Sequence, residues 1–379
     1  MYSRMLQYPE NKSFFLFGPR GTGKSSWVRS QFPNALYLDF LESDTFYSLS
    51  ASPQRLDRLI SEAHEKNWII LDEVQKIPDI LDEVHRLIEK RKLKFILTGS
   101  SARKLKKKGV NLLAGRALSL SMYPLTALEL NQDFDLKRAL EFGQLPSIPS
   151  EEDPKRYLQS YVVTYLKEEV QQEGLTRNLG AFSRFLEAAS FSQGSVLNIS
   201  TVARDCSVER KVVENYFSIL EDLLLAIRVP VFTKKAKRRV IAHPKFYFFD
   251  AGVYRALRPV GPLDGSGEIL GSALETLVFQ EMRAINAYLS LGYMIYYWRT
   301  SNGDEVDFIL YGERGMKAFE VKASDRIRPG DVDALKEFLS DYPMTKGYLF
   351  YGGSKKMSDG NIQILPIQDA LMSLDEILR

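Results

Sequence analysis

Cysteine and histidine are nearly absent: the 379 residues contain one of the first, Cys206, and three of the second. A lone cysteine excludes an intramolecular disulfide and any multi-cysteine metal site, and with no signal peptide in view the expected compartment is the cytoplasm. No run of about eighteen uninterrupted apolar residues occurs, so no membrane span and no membrane partner is expected. Internal repeats and low-complexity tracts are missing too. Excess charge of one sign is small: 51 Lys and Arg stand against 48 Asp and Glu. A net charge of +3 argues for no nucleic-acid partner by itself. Two local basic runs, 104–108 and 234–239, are of the kind that most often make solvated faces. What is present is a hydrophobic fraction of 45%, enough to bury real cores, in a chain long enough for two or three domains.

The most informative segment is Gly18-Pro19-Arg20-Gly21-Thr22-Gly23-Lys24-Ser25, followed by Ser26. It matches G-x-x-x-x-G-K-[ST] in full, with the apolar run Phe14–Phe17 before it and a helix start after it. The glycines let successive backbone N–H groups turn onto phosphate oxygens, and the helix N-terminus adds partial positive charge there. Lys24 is expected to reach the β- and γ-phosphates of ATP and the Ser25 hydroxyl to ligate Mg²⁺.

Downstream, short apolar strands at 35–40, 68–71, 94–98 and 117–121 alternate with helical patterns near 53–66 and 80–90, which argues for a parallel α/β sheet. The strand Trp68–Leu71 delivers Asp72 and Glu73 at its C-terminal edge, where such sheets place catalytic groups. Asp72 suits coordination of Mg²⁺ from the second sphere, and Glu73 the polarisation of an attacking water. The fourth strand ends Thr98-Gly99-Ser100, and a hydroxyl there, Ser100 rather than Thr98, suits the γ-phosphate or the lytic water. Arg116, in Leu112–Arg116, has two readings. It reaches a nucleotide's γ-phosphate, that of a neighbouring subunit included, or it pairs with a surface acid.

The loop, Asp72-Glu73-Val74-Gln75-Lys76-Ile77-Pro78, Thr98–Ser101 and Leu113–Arg116 followed by Tyr123-Pro124-Leu125 resemble the AAA-type ATPases of a widespread bacterial and archaeal family. Its C-terminal half is catalogued as a domain of unknown function. The similarity runs from about Asn11 to about Ser324. It implies an AAA-like fold with sheet order fifth-first-fourth-third-second, and a homo-oligomeric ring with arginine supplied between subunits.

After Leu130 the pattern changes. Three prolines in 143–154 suggest a linker or boundary. Segments 155–172 and 181–189 look helical, with Tyr161, Tyr165 and Leu166 on one face. Residues 196–232 have a helix-turn-helix look, with a short helix capped at Ser200 and an amphipathic helix from Val208 to Leu225. The extended segments either side of 234–239 read as a hairpin wing with a basic tip. The winged-helix expectation is DNA contact, through the tip and through Arg210 or Lys211; the alternative is a packing module between protein domains.

The last third carries Glu305-Val306-Asp307-Phe308 and Phe319-Glu320-Val321-Lys322 on two β-runs around a turn at 312–315. Strict alternation puts Val306, Phe308 and Leu310 on one face and Asp307 on the other, with Glu320 and Lys322 facing it. Two carboxylates can hold Mg²⁺ and a lysine can orient water or neutralise a phosphate. D…E-x-K on paired strands resembles the PD-(D/E)XK nuclease superfamily. That resemblance implies Asp307 and Glu320 as metal ligands, Lys322 as catalytic lysine and Glu275, on a preceding helix, as a supporting carboxylate. Such folds are also used for binding alone.

The sequence therefore predicts an α/β protein. A P-loop AAA-type ATPase domain spans 1–132, a linker and helical spacer 133–195, a winged helix 196–260 and a nuclease-like domain 261–379. The leading expectation is an ATP-hydrolysing, DNA-processing protein, an AAA-type motor coupled to a Mg²⁺-dependent nuclease-like domain that cleaves at Asp307, Glu320 and Lys322. The alternative is a nucleotide switch whose C-terminal parts bind DNA or protein partners without cleaving.

Overall fold

The computed structural model describes residues 2–60, 67–100, 105, 113–166, 178–233, 243–262 and 264–379. The basic runs at 104–108 and 234–239 fall almost wholly outside these. The chain divides into two compact units, one of residues 4–123 with 222–224, the other holding the rest.

In the first unit, β1 (Ser13–Phe17), β2 (Leu36–Asp39), β3 (Trp68–Asp72), β4 (Lys94–Gly99) and β5 (Ala117–Ser121) form a parallel sheet of order β2-β3-β4-β1-β5. This is the order implied by the resemblance. The three inner strands are continuous apolar runs because helices cover both faces. On one face Phe15, Phe17, Leu71 and Leu97 pack against Leu81, Val84 and Leu87 of the helix Ile80–Arg91. On the other, Phe14 and Trp68 meet Phe32, beside Trp27 of the helix Lys24–Gln31. The expected helix near 53–66 is shorter: helices occupy Ser43–Ala51 and Arg55–Leu59, and 61–66 lie outside the described residues.

The second unit begins with helices, among them Leu136–Phe142, Pro154–Ser160 and Leu179–Ser190. Residues 149, 150, 152 and 153 of the proline-bearing stretch 143–154 are exposed, but its first half is packed: Leu145 and Ile148 are buried, and buried Gln144 accepts a hydrogen bond from Gln280 and makes its own. Its backbone N–H donates to Asp250 and its side-chain amide to Glu281, so the prolines shape a packed corner. The helices Ile199–Asp205 and Arg210–Asp222 follow, the first capped by Asn198 rather than Ser200 because the Asn198 side chain takes the Thr201 N–H. Then β6 (Ala226–Val229) and β7 (Lys245–Phe248) pair antiparallel.

The helix Ser266–Tyr288 precedes a six-stranded sheet. Its strands are β8 (Met294–Arg299), β9 (Glu305–Gly312), β10 (Gly315–Lys322), β11 (Lys346–Tyr351), β12 (Met357–Asp359) and β13 (Ile362–Pro366), in the order β12-β13-β11-β10-β9-β8. β9 and β10 form the expected hairpin, closed by the Gly312–Gly315 pair. Strict alternation on β9 does not hold. Between β8 and β9 the register runs Tyr296–Ile309 and then Trp298–Val306, so two residues of β9 oppose one of β8. This bulge sends Val306 and Ile309 into the cluster around Leu335 and Phe338, while Phe308 stacks on Phe279 of the long helix. Phe308 thus lies on the same side as Asp307.

Among the described residues, no helix is long and apolar enough to cross a membrane.

Candidate nucleotide site and a second carboxylate cluster

The phosphate-binding loop leaves β1 at Phe17 and enters its helix at Lys24. Gly21 and Gly23 sit at φ +82° and +86°, a region that side chains resist. A Cβ on Gly18 would lie 2.3 Å from the Met122 carbonyl oxygen, so only glycine fits between β1 and the residue after β5. Lys24 is buried, and its ammonium donates to the Gly18 and Pro19 carbonyls at 2.8 and 3.0 Å. The Thr22 hydroxyl donates to the Pro19 carbonyl. Pro19 is buried, Arg20 and Ser25 half-buried and Ser26 exposed. A buried cation held on its own loop's carbonyls, at a helix N-terminus, fits the phosphates of a nucleotide with Mg²⁺.

Because β4 lies between β1 and β3, the ends of all three converge beside the loop. Asp72 is buried at the end of β3, and its two oxygens accept from the Thr98 and Tyr37 hydroxyls. Burial, then the bond to Asp72, pushes the Tyr37 phenol well up, so it stays a donor. The Arg29 guanidinium lies 4.1 Å from the centre of the Tyr37 ring. Thr98 also accepts the Glu73 N–H at 3.2 Å. Glu73 holds φ +61°, a left-handed conformation that costs a non-glycine residue on the order of 1 kcal/mol. Its carboxylate accepts from the Gln75 amide, which also donates to the Ser100 hydroxyl at 3.2 Å. Ser100 therefore reaches Glu73 through Gln75, while Thr98 fixes Asp72.

Gln75 and Tyr37 are the residues missed by sequence reasoning. Gln75 lay in the quoted Asp-Glu-Val-Gln stretch without a role. Gly99 makes room for it: a Cβ there would fall 2.5 Å from Gln75 Oε1. Tyr37 gives no local signal, since it needs β2 to pair with β3.

Arg116 sits just before β5, whose first residue pairs with Ser13, whereas the phosphate loop follows Phe17. Four residues of strand, about 13 Å, separate the two ends of the sheet, so Arg116 does not serve its own chain's loop. It pairs with Glu89 of the helix Ile80–Arg91 and holds that carboxyl below its usual range.

In the second unit, Glu275, Asp307, Glu320 and Lys322 do come together. Asp307 Oδ2 takes the Val321 N–H at 3.0 Å, just past the last β9–β10 pair. Lys322 Nζ lies 2.5 Å from Glu320 Oε1, and Glu320 Oε2 is buried without a hydrogen-bond partner. A residue outside the expected set stands among them. Lys245, the first residue of β7, is almost wholly buried, and its Nζ lies 2.6 Å from Glu305, 3.2 Å from Asp307 and 3.9 Å from Glu275. Tyr247, two residues on, donates its hydroxyl to Glu275. Burial and the Asp307 charge push both Glu275 and Glu320 up to about 8. Burial pulls Lys245 down, but Tyr247 and the carboxylates outweigh it and hold the ammonium charged.

Among the described residues, no group of three or more His, Cys, Asp or Glu is disposed to hold a metal ion. The donor set does not fit Mg²⁺ as it stands: the Lys245 ammonium sits on Glu305 and Asp307, and Asp307 is bonded to the Val321 amide as well. The signal for Lys245 was a lone lysine opening the aromatic strand Lys-Phe-Tyr-Phe, which reads equally well as a wing residue.

Arg210 and Lys211 are exposed at the start of their helix, with Arg210 paired to Glu214 at 3.0 Å.

Comparison with known proteins finds three matched stretches. Residues 10–131 match the family described as an AAA domain, and 133–264 and 270–370 match two domains of unknown function. With the loop geometry, this defines a P-loop ATPase of AAA type at the N-terminus. An uncharacterized protein of Haemophilus influenzae is 22% identical over 298 residues, 73% of this chain and 71% of its own. Another, of Methanocaldococcus jannaschii, is 23% identical over 366 residues, 87% of this chain and 79% of its own. Among solved structures, the ORC1 protein of Aeropyrum pernix in complex with DNA gives a TM-score of 0.26 at 14% identity, over 66% of this chain and 87% of that one. The ORC2 protein of the same organism in its ADP form gives 0.33 at 11%, over 71% and 88%. Scores this low place no residue.

Proposed function

We propose that this protein is an ATP-hydrolysing DNA-acting protein whose C-terminal parts bind rather than cut. The observation that carries the ATPase is the network in which Thr98, Tyr37 and Gln75 fix Asp72 and Glu73 beside the phosphate loop. Lys24 leaves its loop carbonyls for the β- and γ-phosphates, and the loop N–H groups hold them. The Ser25 hydroxyl and, through water, Asp72 would hold Mg²⁺, which supplies charge to the phosphates when bound. Glu73, aimed by Gln75, accepts a proton from the water that attacks the γ-phosphorus, and Ser100 steadies Gln75. Arg116 acts between subunits of a homo-oligomeric ring, since its own loop lies at the other end of the sheet.

The helices Ile199–Asp205 and Arg210–Asp222 with the β6–β7 hairpin read as a winged helix, and exposed Arg210 and Lys211 suit DNA phosphates. The fold around β8–β11 reads as PD-(D/E)XK-like. Of its two uses, binding is favoured over Mg²⁺-dependent cleavage, because Lys245 fills the carboxylate cluster. The cytoplasm is the compartment that fits this reading.

The test is ATP turnover with and without single-stranded, duplex and branched DNA, with Mg²⁺-dependent cleavage followed in the same tubes. Lys24→Ala should lower turnover on the order of a hundredfold or more, DNA should raise that of the parent, and no DNA should be cut. Turnover indifferent to every DNA would remove the DNA half of this reading. Cleavage lost in Lys322→Ala would replace binding by an active nuclease.

A further inference from the structure

The carboxylate cluster holds its own cation. Glu275 comes from the long helix, Glu305 and Asp307 from β9, and all three converge on one Nζ from β7, a strand of the preceding hairpin. The two shorter contacts, 2.6 and 3.2 Å, are ammonium–carboxylate contact lengths. Other acceptors of the cluster are engaged too: Tyr247 donates to Glu275, the Val321 N–H to Asp307, and Lys322 to Glu320 Oε1, while Glu320 Oε2 has no partner. Lys245 is buried on every side, with the Tyr297 ring 5.8 Å from its ammonium.

We propose that the Lys245 ammonium is the resident cation of this pocket, standing where a divalent metal would have to bind and tying the β7 hairpin to β9 and the long helix. The pocket is then an ionic joint between two parts of one unit. A buried charge cluster of this kind tolerates loss of a partner badly, because the remaining charges have no water to turn to. Removing the lysine leaves carboxylates that lack a cation, and a metal from solution can supply it. This inference needs neither ATP turnover nor DNA binding, so it survives or fails apart from the function proposed above.

The experiment uses the full chain without nucleotide and Mn²⁺ as the probe, followed by electron paramagnetic resonance and thermal melting. The parent should show no Mn²⁺ site that Asp307→Asn removes. Lys245→Ala should melt lower, gain one site about tenfold or more tighter than any in the parent, and recover melting temperature as Mn²⁺ is added. Adding Asp307→Asn to it should abolish both gains. A parent that binds Mn²⁺ through Asp307 as tightly as Lys245→Ala does would overturn the proposal. Should Lys245→Ala not fold, amine labelling of the parent read by mass spectrometry decides. Lys245 should stay unlabelled with and without millimolar Mn²⁺, and labelling that appears only with Mn²⁺ would mean that metal displaces it.

Discussion

Asp72 and Asp307 are both buried carboxylates on strands of an α/β sheet, each followed closely by chemistry-bearing neighbours, yet their surroundings use them in opposite ways. Asp72 is held by two hydroxyls, from Tyr37 and Thr98. Hydroxyl bonds orient a carboxylate while leaving its charge for a cation that arrives with substrate. Asp307 is held by an ammonium and a backbone N–H, so its charge is already matched inside the fold. The difference teaches that whether a pair of acids on a strand edge is left open to an incoming cation, as proposed for Asp72, or closed into a joint depends on the partner charge that tertiary packing delivers. The same contrast appears in the lysines: Lys24 donates to the Gly18 and Pro19 carbonyls, whereas Lys245 is bound to carboxylates.

The comparison can be broken most severely at Glu73. Glu73→Gln should lower ATP turnover on the order of 10²–10⁴-fold with nucleotide binding retained, measured by steady-state hydrolysis beside nucleotide titration. Gln75→Leu, which removes the amide that donates to Glu73, should cost roughly tenfold; equal turnover in parent and Gln75→Leu would detach Gln75 from the site.

A third buried carboxyl, Glu281, sharpens the contrast because amides rather than a cation face it. Its Oε1 accepts from the Ala127 N–H and the Gln144 amide, its Oε2 is unpartnered, and burial pushes it up to about 8 from 4.5. The folded form thus binds this proton more tightly than the unfolded chain. The stability it contributes is fully present below about pH 4.5 and is lost as pH rises through about 8. A rise from 4.5 to about 8 sets a ceiling of about 5 kcal/mol. Glu281→Gln should therefore melt with the parent near pH 4 and above it near pH 8, by several degrees. A gap that does not grow with pH would mean that Glu281 is ionised in the fold.

The smallest effect on stability is expected at Arg116, half-buried and paired with exposed Glu89. Arg116→Ala should leave the melting temperature unchanged, yet abolish any rise of turnover per chain with protein concentration. Normal concentration dependence in that variant would return Arg116 to the role of a surface ion pair.

Much of the first site was legible because its parts are local. The spacing of Gly18 to Ser25 dictates a loop between strand and helix, and an apolar strand ending in Asp72-Glu73 needs no distant partner to be recognised. The positions of Thr98 and Ser100 followed from strand order. Gln75 was less visible, since its role depends on the left-handed turn at Glu73 and the space over Gly99. In the second site the four expected residues do converge, but period-two alternation misplaced Phe308, because a bulge against β8 is written in the pairing of two strands and not in either alone.

The sequence by itself determined the phosphate loop, the apolar strands that make a parallel sheet, and the presence of acids on paired strands. Those features arise from contacts within a few residues and from the periodicity of burial. Only the tertiary structure decided that Arg116 stands at the far end of its own sheet, and that Lys245, 62 residues before Asp307, enters the acidic cluster. The charge state and chemistry of a buried carboxylate depend on which groups lie within a few ångströms, and folding assembles those neighbours from distant parts of the chain.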